Sequence, residues 1–135
     1  MSQANVELAR QAYHAFNRRD LDSLLALVDP DAEAAPRLAA VEGVFHGHEG
    51  IRRWWNSLLA TWPDYQVEVL ELRDLGPITL GKIMVGGHSA ETGIAVTQMA
   101  WHVWRWRREK AVWFAFFPTE AAARAAVITA LPRER

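Results

Sequence analysis

The run Gln98-Met99-Ala100-Trp101-His102-Val103-Trp104-Arg105-Trp106 decides how this chain is read. Side chains of a β-strand alternate between its two faces. As a strand, the run puts Gln98, Ala100, His102, Trp104 and Trp106 on one face and Met99, Trp101, Val103 and Arg105 on the other. Neither face is polar enough for a solvated edge. One titratable imidazole among indoles is the pattern of a ligand cavity with a single acid–base group in its wall.

Working outward, the strand extends over residues 94–107, and three further extended stretches surround it at 65–73, 78–89 and 111–117. Their separators, Leu75-Gly76-Pro77, Glu91-Thr92-Gly93 and Arg108-Glu109-Lys110, have lengths suited to hairpins. Upstream, Val6, Ala9, Tyr13 and Phe16 recur at three- and four-residue steps, the stripe of an amphipathic helix over residues 5–18. Asp20 is placed to N-cap a second helix at 21–28, which Asp29-Pro30-Asp31 ends. Residues 32–40 read as a short strand or irregular extended segment, with Pro36 arguing against a central position. His46-Gly47-His48-Glu49-Gly50 is a turn into a third helix at 51–61, whose wide apolar face is Ile51, Trp54, Trp55, Leu58, Leu59 and Trp62. After Pro118-Thr119 comes an alanine-rich last helix at 120–131, expected to dock only loosely. Helices first and antiparallel strands after make an α+β fold, with helices packed on one face of a curved sheet. The length of 135 residues fits one domain spanning 1–135.

Composition narrows the function classes. Half the residues are hydrophobic and seven are Trp, an aromatic load that small cavities and interfaces carry. A formal net charge of −1 gives no electrostatic case for nucleic acid or an anionic membrane, so neither is expected as a partner. The absence of cysteine removes disulfides, thiolate metal sites and a Cys nucleophile together. No basic-then-apolar leader opens the chain and no segment has the ~18 apolar residues of a membrane span, so a cytoplasmic location is expected.

The strand faces also bear on assembly. An antiparallel sheet with one wet face alternates apolar and polar residues. The last two strands do not: Val112, Phe114 and Phe116 share one face, and Trp113, Ala115 and Phe117 the other. Helices in a chain this small cover one face. The second, carrying Met99, Trp101, Val103 and Trp113, is expected to form a homodimer interface unless the last helix covers it.

Several of these residues carry a family resemblance. The segments Tyr13-His14-Ala15-Phe16-Asn17-Arg18-Arg19-Asp20-Leu21-Asp22 and Leu24-Leu25-Ala26-Leu27-Val28-Asp29-Pro30-Asp31-Ala32 resemble the opening of SnoaL-like proteins. Gly47-His48-Glu49-Gly50-Ile51-Arg52 and His102-Val103-Trp104 before a hairpin continue the pattern. The resemblance implies an NTF2-like cone, N-terminal helices packed on a curved antiparallel sheet around a pocket. Relatives of this fold include polyketide cyclases, ketosteroid isomerases and limonene-epoxide hydrolases; others bind ligands or partners without chemistry. Ketosteroid isomerases pair an aspartate base with an oxyanion hole of a tyrosine and a protonated acid. Carried across, the base position falls near Ala35 or Pro36, neither of which takes a proton from carbon. The oxyanion-hole acid falls at His102, and the helix tyrosine corresponds to Tyr13, one residue out of register. The Asp-Arg-Asp set of the epoxide hydrolases is not evident. Steroid isomerase activity is therefore not expected.

His102 is the leading catalytic candidate, as acid, base or donor to a developing oxyanion, with Tyr13 as a second donor. Burial would favour its neutral form. Gln98, on the His102 face, and His88, after Gly86-Gly87, are candidate polar contacts. Phe16, Trp54, Trp55, Leu58, Trp62, Met84, Trp104, Phe114 and Phe116 are core residues that a cone fold would also use as pocket wall. His46, His48 and Glu49 match the ordinary turn before the third helix, so no metal is expected, and proton transfer beside a carbonyl requires no cofactor. Asp31 is expected to serve a turn or cap. Three roles stay open: a cofactor-independent isomerase- or cyclase-type enzyme (lyase or hydrolase chemistry included) on a small hydrophobic oxygenated metabolite, a non-catalytic binder of such a ligand, or a dimeric interaction module.

Overall fold

The computed structural model describes residues 3–35 and 44–130. Helix α1, Gln3–Asn17, buries Val6, Ala9, Ala12, Tyr13, Ala15 and Phe16, the stripe read from the sequence with its alanines added. The short α2, Leu21–Ala26, is capped by Asp20, whose carboxylate accepts from the Ser23 amide at 3.1 Å and the Ser23 hydroxyl at 2.7 Å.

Among the described residues six strands follow in one curved, unclosed sheet: β1 Val28–Ala35, β2 Phe45–His46, β3 Gln66–Leu75, β4 Ile78–His88, β5 Ala95–Arg107 and β6 Lys110–Phe117. Their order is β2-β1-β6-β5-β4-β3, with β1 parallel to β6 and every other pairing antiparallel. Between β2 and β3 lies α3, Gly47–Thr61, and the chain's last helix is α4, Glu120–Ala130.

Two junctions depart from the sequence reading in a way that bears on the site. The second helix stops at Ala26 and the chain enters a strand at Val28, straight through Pro30. The ladder explains why proline is tolerated. Register with β6 jumps from Val28↔Ala111 to Glu33↔Trp113, and β2 pairs only with Glu33 and Ala34. Pro30 therefore falls where no ladder bond is made, and its missing N–H costs nothing. The third helix begins at Gly47 rather than at residue 51. Gly47 has φ of 72°, and a Cβ there would sit 3.0 Å from the Pro30 carbonyl oxygen, so only glycine fits this junction. Residues 36–43, which include Pro36, and Leu131 lie outside the described residues.

The segment Asn17-Arg18-Arg19-Asp20 holds α1 to the edge of the sheet. The Asn17 side chain donates to the Val67 carbonyl at 2.8 Å and accepts from the Val67 amide at 2.9 Å. Its amide thus imitates a strand residue against the free edge of β3, where unpaired ladder groups would otherwise face water. Arg19, at φ 61°, donates to the carbonyls of Phe16, Pro63 and Tyr65 at 3.1, 3.0 and 2.7 Å. That clamp fixes α1 relative to the turn after α3.

The main core lies between the helices and the concave side of the sheet, where Phe16, Leu25, Ile51, Trp55, Leu58, Ile83 and Trp104 are buried together. A second cluster lies on the outer side. There Ala123 and Val127 of α4 cover Ile78, Leu80 and Val103, with Trp101, Trp113 and Phe117 packed against them. The last helix is thus docked rather than loose, because its small Ala123 face allows close approach to the sheet. Of the residues expected at a dimer face, Val103 is fully buried by this helix, Trp101 and Trp113 are half-buried, and Met99 is 37% exposed. No helix among the described residues is long and apolar enough to cross a membrane.

Candidate functional site

Register between β4 and β5 sets which side chains face the concave side. Thr79, Gly81, Ile83 and Val85 pair with Trp104, His102, Ala100 and Gln98, so these eight residues share one face. Between them and the helices is a cavity of about 350 Å³, at the small end of the range for ligand sites. Phe16 of α1, Trp54 and Leu58 of α3, Trp62 and Tyr65 after it, and Phe114 and Phe116 of β6 supply much of its wall. Polar groups on the wall are few. They include His102, Tyr13 and Gln98, with Glu33 the one charged residue among the described lining.

His102 and Tyr13, 89 residues apart in sequence, meet here: the Tyr13 hydroxyl lies 2.8 Å from His102 Nδ1. The Trp104 indole Nε1–H donates to the same hydroxyl at 2.9 Å. Phe114 and Phe116 brace the imidazole, with ring centroids at 4.6 and 5.5 Å. Among the described residues no buried side-chain nitrogen or oxygen lacks a partner. His102 Nε2 has none among the described residues, so it is the ring nitrogen open to the cavity.

Burial decides the protonation states. Desolvation pushes the His102 pKa down to about 3, so the ring is neutral throughout the physiological range. Burial likewise pushes the Tyr13 phenol well above its ordinary value, against a smaller opposing effect of the Trp104 hydrogen bond. The pair is therefore a neutral phenol on a neutral imidazole.

The Tyr13 hydroxyl packs against the sheet at Gly81, where a side chain would crowd it. A Cβ at Gly81 would lie 3.3 Å from the Tyr13 oxygen and 3.1 Å from Leu72 Cδ2. The second indole on this face, Trp106, donates to Thr79 Oγ1 at 3.0 Å and is satisfied away from the imidazole.

The structure brings most of the sequence-selected residues to the cavity: His102, Tyr13, Phe16, Trp54, Leu58, Trp62, Gln98, Trp104, Phe114 and Phe116 line it. Three do not. Met84 pairs with Met99 and belongs to the opposite face of β4, one residue out of phase with Ile83 and Val85. His88 is drawn away by Asp64, which accepts from the His88 amide at 2.7 Å and sits 2.6 Å from its Nδ1; these two bonds hold the Asp64 carboxyl below the usual range. Trp55 is buried edge-on to Phe16 in the core behind the wall. Glu33, Tyr65, Val96 and Ala111 line the cavity without having been singled out. For Ala111 the cause is a bulge: two residues of β6, Ala111 and Trp113, span one step of β5, Trp106 to Arg105. This also puts Trp113, expected at the assembly face, in both the outer cluster and the cavity wall.

Among the described residues no three His, Asp or Glu side chains converge as a metal site requires. His48 Nε2 is engaged 2.7 Å from the Val28 carbonyl, tying α3 to β1. Asp31 caps none of the described helices; its amide is held by the Asp29 carboxylate at 2.8 Å in the unpaired part of β1.

Helices laid over a curved open sheet around a buried cavity define the NTF2-like class. An NTF2-like protein of unknown function from Burkholderia pseudomallei superposes with a TM-score of 0.78 at 25% identity, over 93% of this chain and 98% of that one. TerC, co-crystallised with polyporic acid, gives 0.76 at 20% identity over 92% and 98%. A protein with a ketosteroid isomerase-like fold from Catenulispora acidiphila, in complex with trimethylamine, gives 0.75 at 17% over 88% and 90%. Within that class the chain belongs to the SnoaL-like domain family, whose sequence model matches residues 9–114. No curated protein matches it.

Proposed function

We propose that this SnoaL-like protein binds a small, apolar, oxygen-bearing molecule in the cavity and polarises a carbonyl of that molecule through His102. The observation that carries this reading is the open Nε2 of a neutral imidazole, anchored by Tyr13 in an otherwise apolar wall. A donor fixed in a dry site acts on developing negative charge far more strongly than it would in water. Isomerisation or ring closure beside a carbonyl then needs positioned groups and excluded water, with no cofactor. The same fold is found in proteins assigned as a polyketide cyclase and a hydroxylase, and TerC was crystallised with an organic acid.

A second reading is binding without chemistry. It is favoured by the base position, where Ala35 carries no titratable group. Glu33 is the carboxylate nearest in sequence on the wall, and it is exposed at the rim.

The experiment is to extract and identify any small molecule that co-purifies, then follow its turnover by wild type and His102→Ala. Loss of turnover in the variant supports catalysis. Equal turnover by both ends the His102 role, and tight binding with no turnover in either selects the second reading. In this proposal the chain works as a homodimer joined through Met99, Trp101 and Trp113, the part of the outer face that α4 does not seal. A monomeric mass at micromolar concentration would end that part.

A further inference from the structure

The three buried polar groups beside the cavity form a chain whose direction is fixed by valence. An indole N–H can only donate. Trp104 gives its proton to Tyr13 Oη at 2.9 Å, so that oxygen is an acceptor on one side. It has one proton of its own to place. His102 Nδ1, at 2.8 Å, is its one other partner among the described residues. If Nδ1 carried a proton instead, the hydroxyl would accept twice and its own hydrogen would be left without a partner among the described residues. A stranded buried donor disfavours such a state on the order of tenfold or more. The low-energy arrangement runs from Trp104 N–H to Tyr13 O–H to His102 Nδ1, which leaves the imidazole hydrogen on Nε2.

We propose that Trp104 is a positioning residue that, acting through Tyr13, holds the neutral imidazole of His102 in its Nε2–H form, so that the cavity offers a hydrogen-bond donor and selects ligands presenting a carbonyl-type acceptor oxygen. The ligand clause rests on the proposed function above; the tautomer clause does not. Two features support the assignment. Phe114 and Phe116 flank the ring, so a flip that would bring Cδ2 against the Tyr13 hydroxyl is hindered. Trp106 is the other indole on this face, but its N–H is spent on Thr79, so Trp104 alone sets the direction. Two consequences follow for the resting protein. Its imidazole hands a hydrogen bond to the ligand and does not take one from it. A ligand group that can only donate, such as an ammonium, is rejected at this point of the wall.

The test uses the full chain, labelled with ¹⁵N, and long-range ¹H–¹⁵N correlation of the imidazole at neutral pH; His102→Asn identifies the signals. The expected spectrum has a protonated Nε2 and an unprotonated Nδ1. A protonated Nδ1 in the wild type overturns the proposal, whatever the variants do. In Trp104→Phe and Tyr13→Phe the constraint is removed and a mixture of tautomers is expected. A pure Nε2–H form in Trp104→Phe would overturn the role given to Trp104, and a pure Nε2–H form in Tyr13→Phe would overturn the route through Tyr13. Should Trp104→Phe fail to fold, Trp104→Tyr, which also lacks the indole N–H, takes its place. Binding is read with 2-acetonaphthone and its hydrocarbon counterpart, 2-isopropenylnaphthalene, which differ in C=O against C=CH₂. The ketone is expected to bind the wild type about tenfold tighter, a margin of one good hydrogen bond, and the preference is expected to shrink in Trp104→Phe. Equal binding of the two probes overturns the selection clause. Binding of neither overturns the ligand-cavity reading, and the wild-type spectrum then judges the tautomer on its own.

Discussion

Lowering the pH should destabilise this protein through His102. In the folded chain burial holds the His102 pKa near 3, against an ordinary value of 6.5. Well above pH 6.5 neither state takes a proton and the residue contributes no pH dependence. Below it the unfolded chain binds a proton that the native cavity refuses, so stability falls as the pH falls. Each pH unit in that window is worth about 1.4 kcal/mol. From pH 7 to pH 4.5 the loss is therefore roughly 2–3 kcal/mol, and it levels off below about pH 3. Other groups titrate over the same range, so the quantity to measure is a difference. His102→Asn keeps a hydrogen-bonding atom near the Nδ1 position and does not titrate. Urea unfolding of both proteins at the two pH values should show the wild type losing roughly 2–3 kcal/mol more than the variant. Equal losses would refute the reasoning. They would mean that the native imidazole accepts a proton freely, and that water reaches it.

Tyr13→Phe should cost about 2–4 kcal/mol, since it breaks two buried hydrogen bonds and leaves an indole N–H and an imidazole nitrogen unpaired; thermal unfolding gives the value, and a loss below about 1 kcal/mol would mean the hydroxyl is not shared. Combined with Trp104→Phe the effects should be less than additive, because both remove the same bond. Asn17→Ala should cost about 2 kcal/mol and speed amide exchange at Val67, whose main-chain groups lose their cover. Unchanged exchange there would argue against the edge-covering role. Ala123→Leu should destabilise by about 1–3 kcal/mol, because the side chain is fully buried against the outer face of the sheet. A neutral result would mean that α4 is not docked.

The strand faces of β5 were legible because a period of two is a property of the strand itself. Placing His102, Trp104 and Gln98 together needed no partner. β4 was not legible in the same way. Ile78-Thr79-Leu80 is apolar enough to be buried on both faces, and it is, by the core on one side and α4 on the other. Only pairing with β5 shows that Met84 is out of phase with the cavity. Helix periodicity likewise brought Trp54 and Trp55 forward together without separating wall from core. β1 was misplaced because Pro30 reads as a breaker, and nothing local reveals that the ladder skips it. The joining of Tyr13 to His102 spans 89 residues and packs against Gly81 on a third element. The family pattern pointed to both residues, but their bond is a tertiary fact. The Asn17 to Asp20 motif that carried part of the resemblance proved to be a fastening between α1, α2 and β3 rather than part of the site.

Gly81 constrains how this site can change over generations. The Tyr13 oxygen packs beside the space its absent side chain leaves, so the two positions are coupled. A lineage that first gains a methyl at Gly81 must move the hydroxyl by a few tenths of an ångström while it is still bonded to the imidazole. One that first loses the hydroxyl, by Tyr13→Phe, can then fill Gly81 at the cost of moving only the end of Leu72. The order is therefore asymmetric: the wall is easier to rebuild once the hydroxyl has gone. Among relatives that kept both positions' geometry, tyrosine here and glycine there should tend to be inherited together.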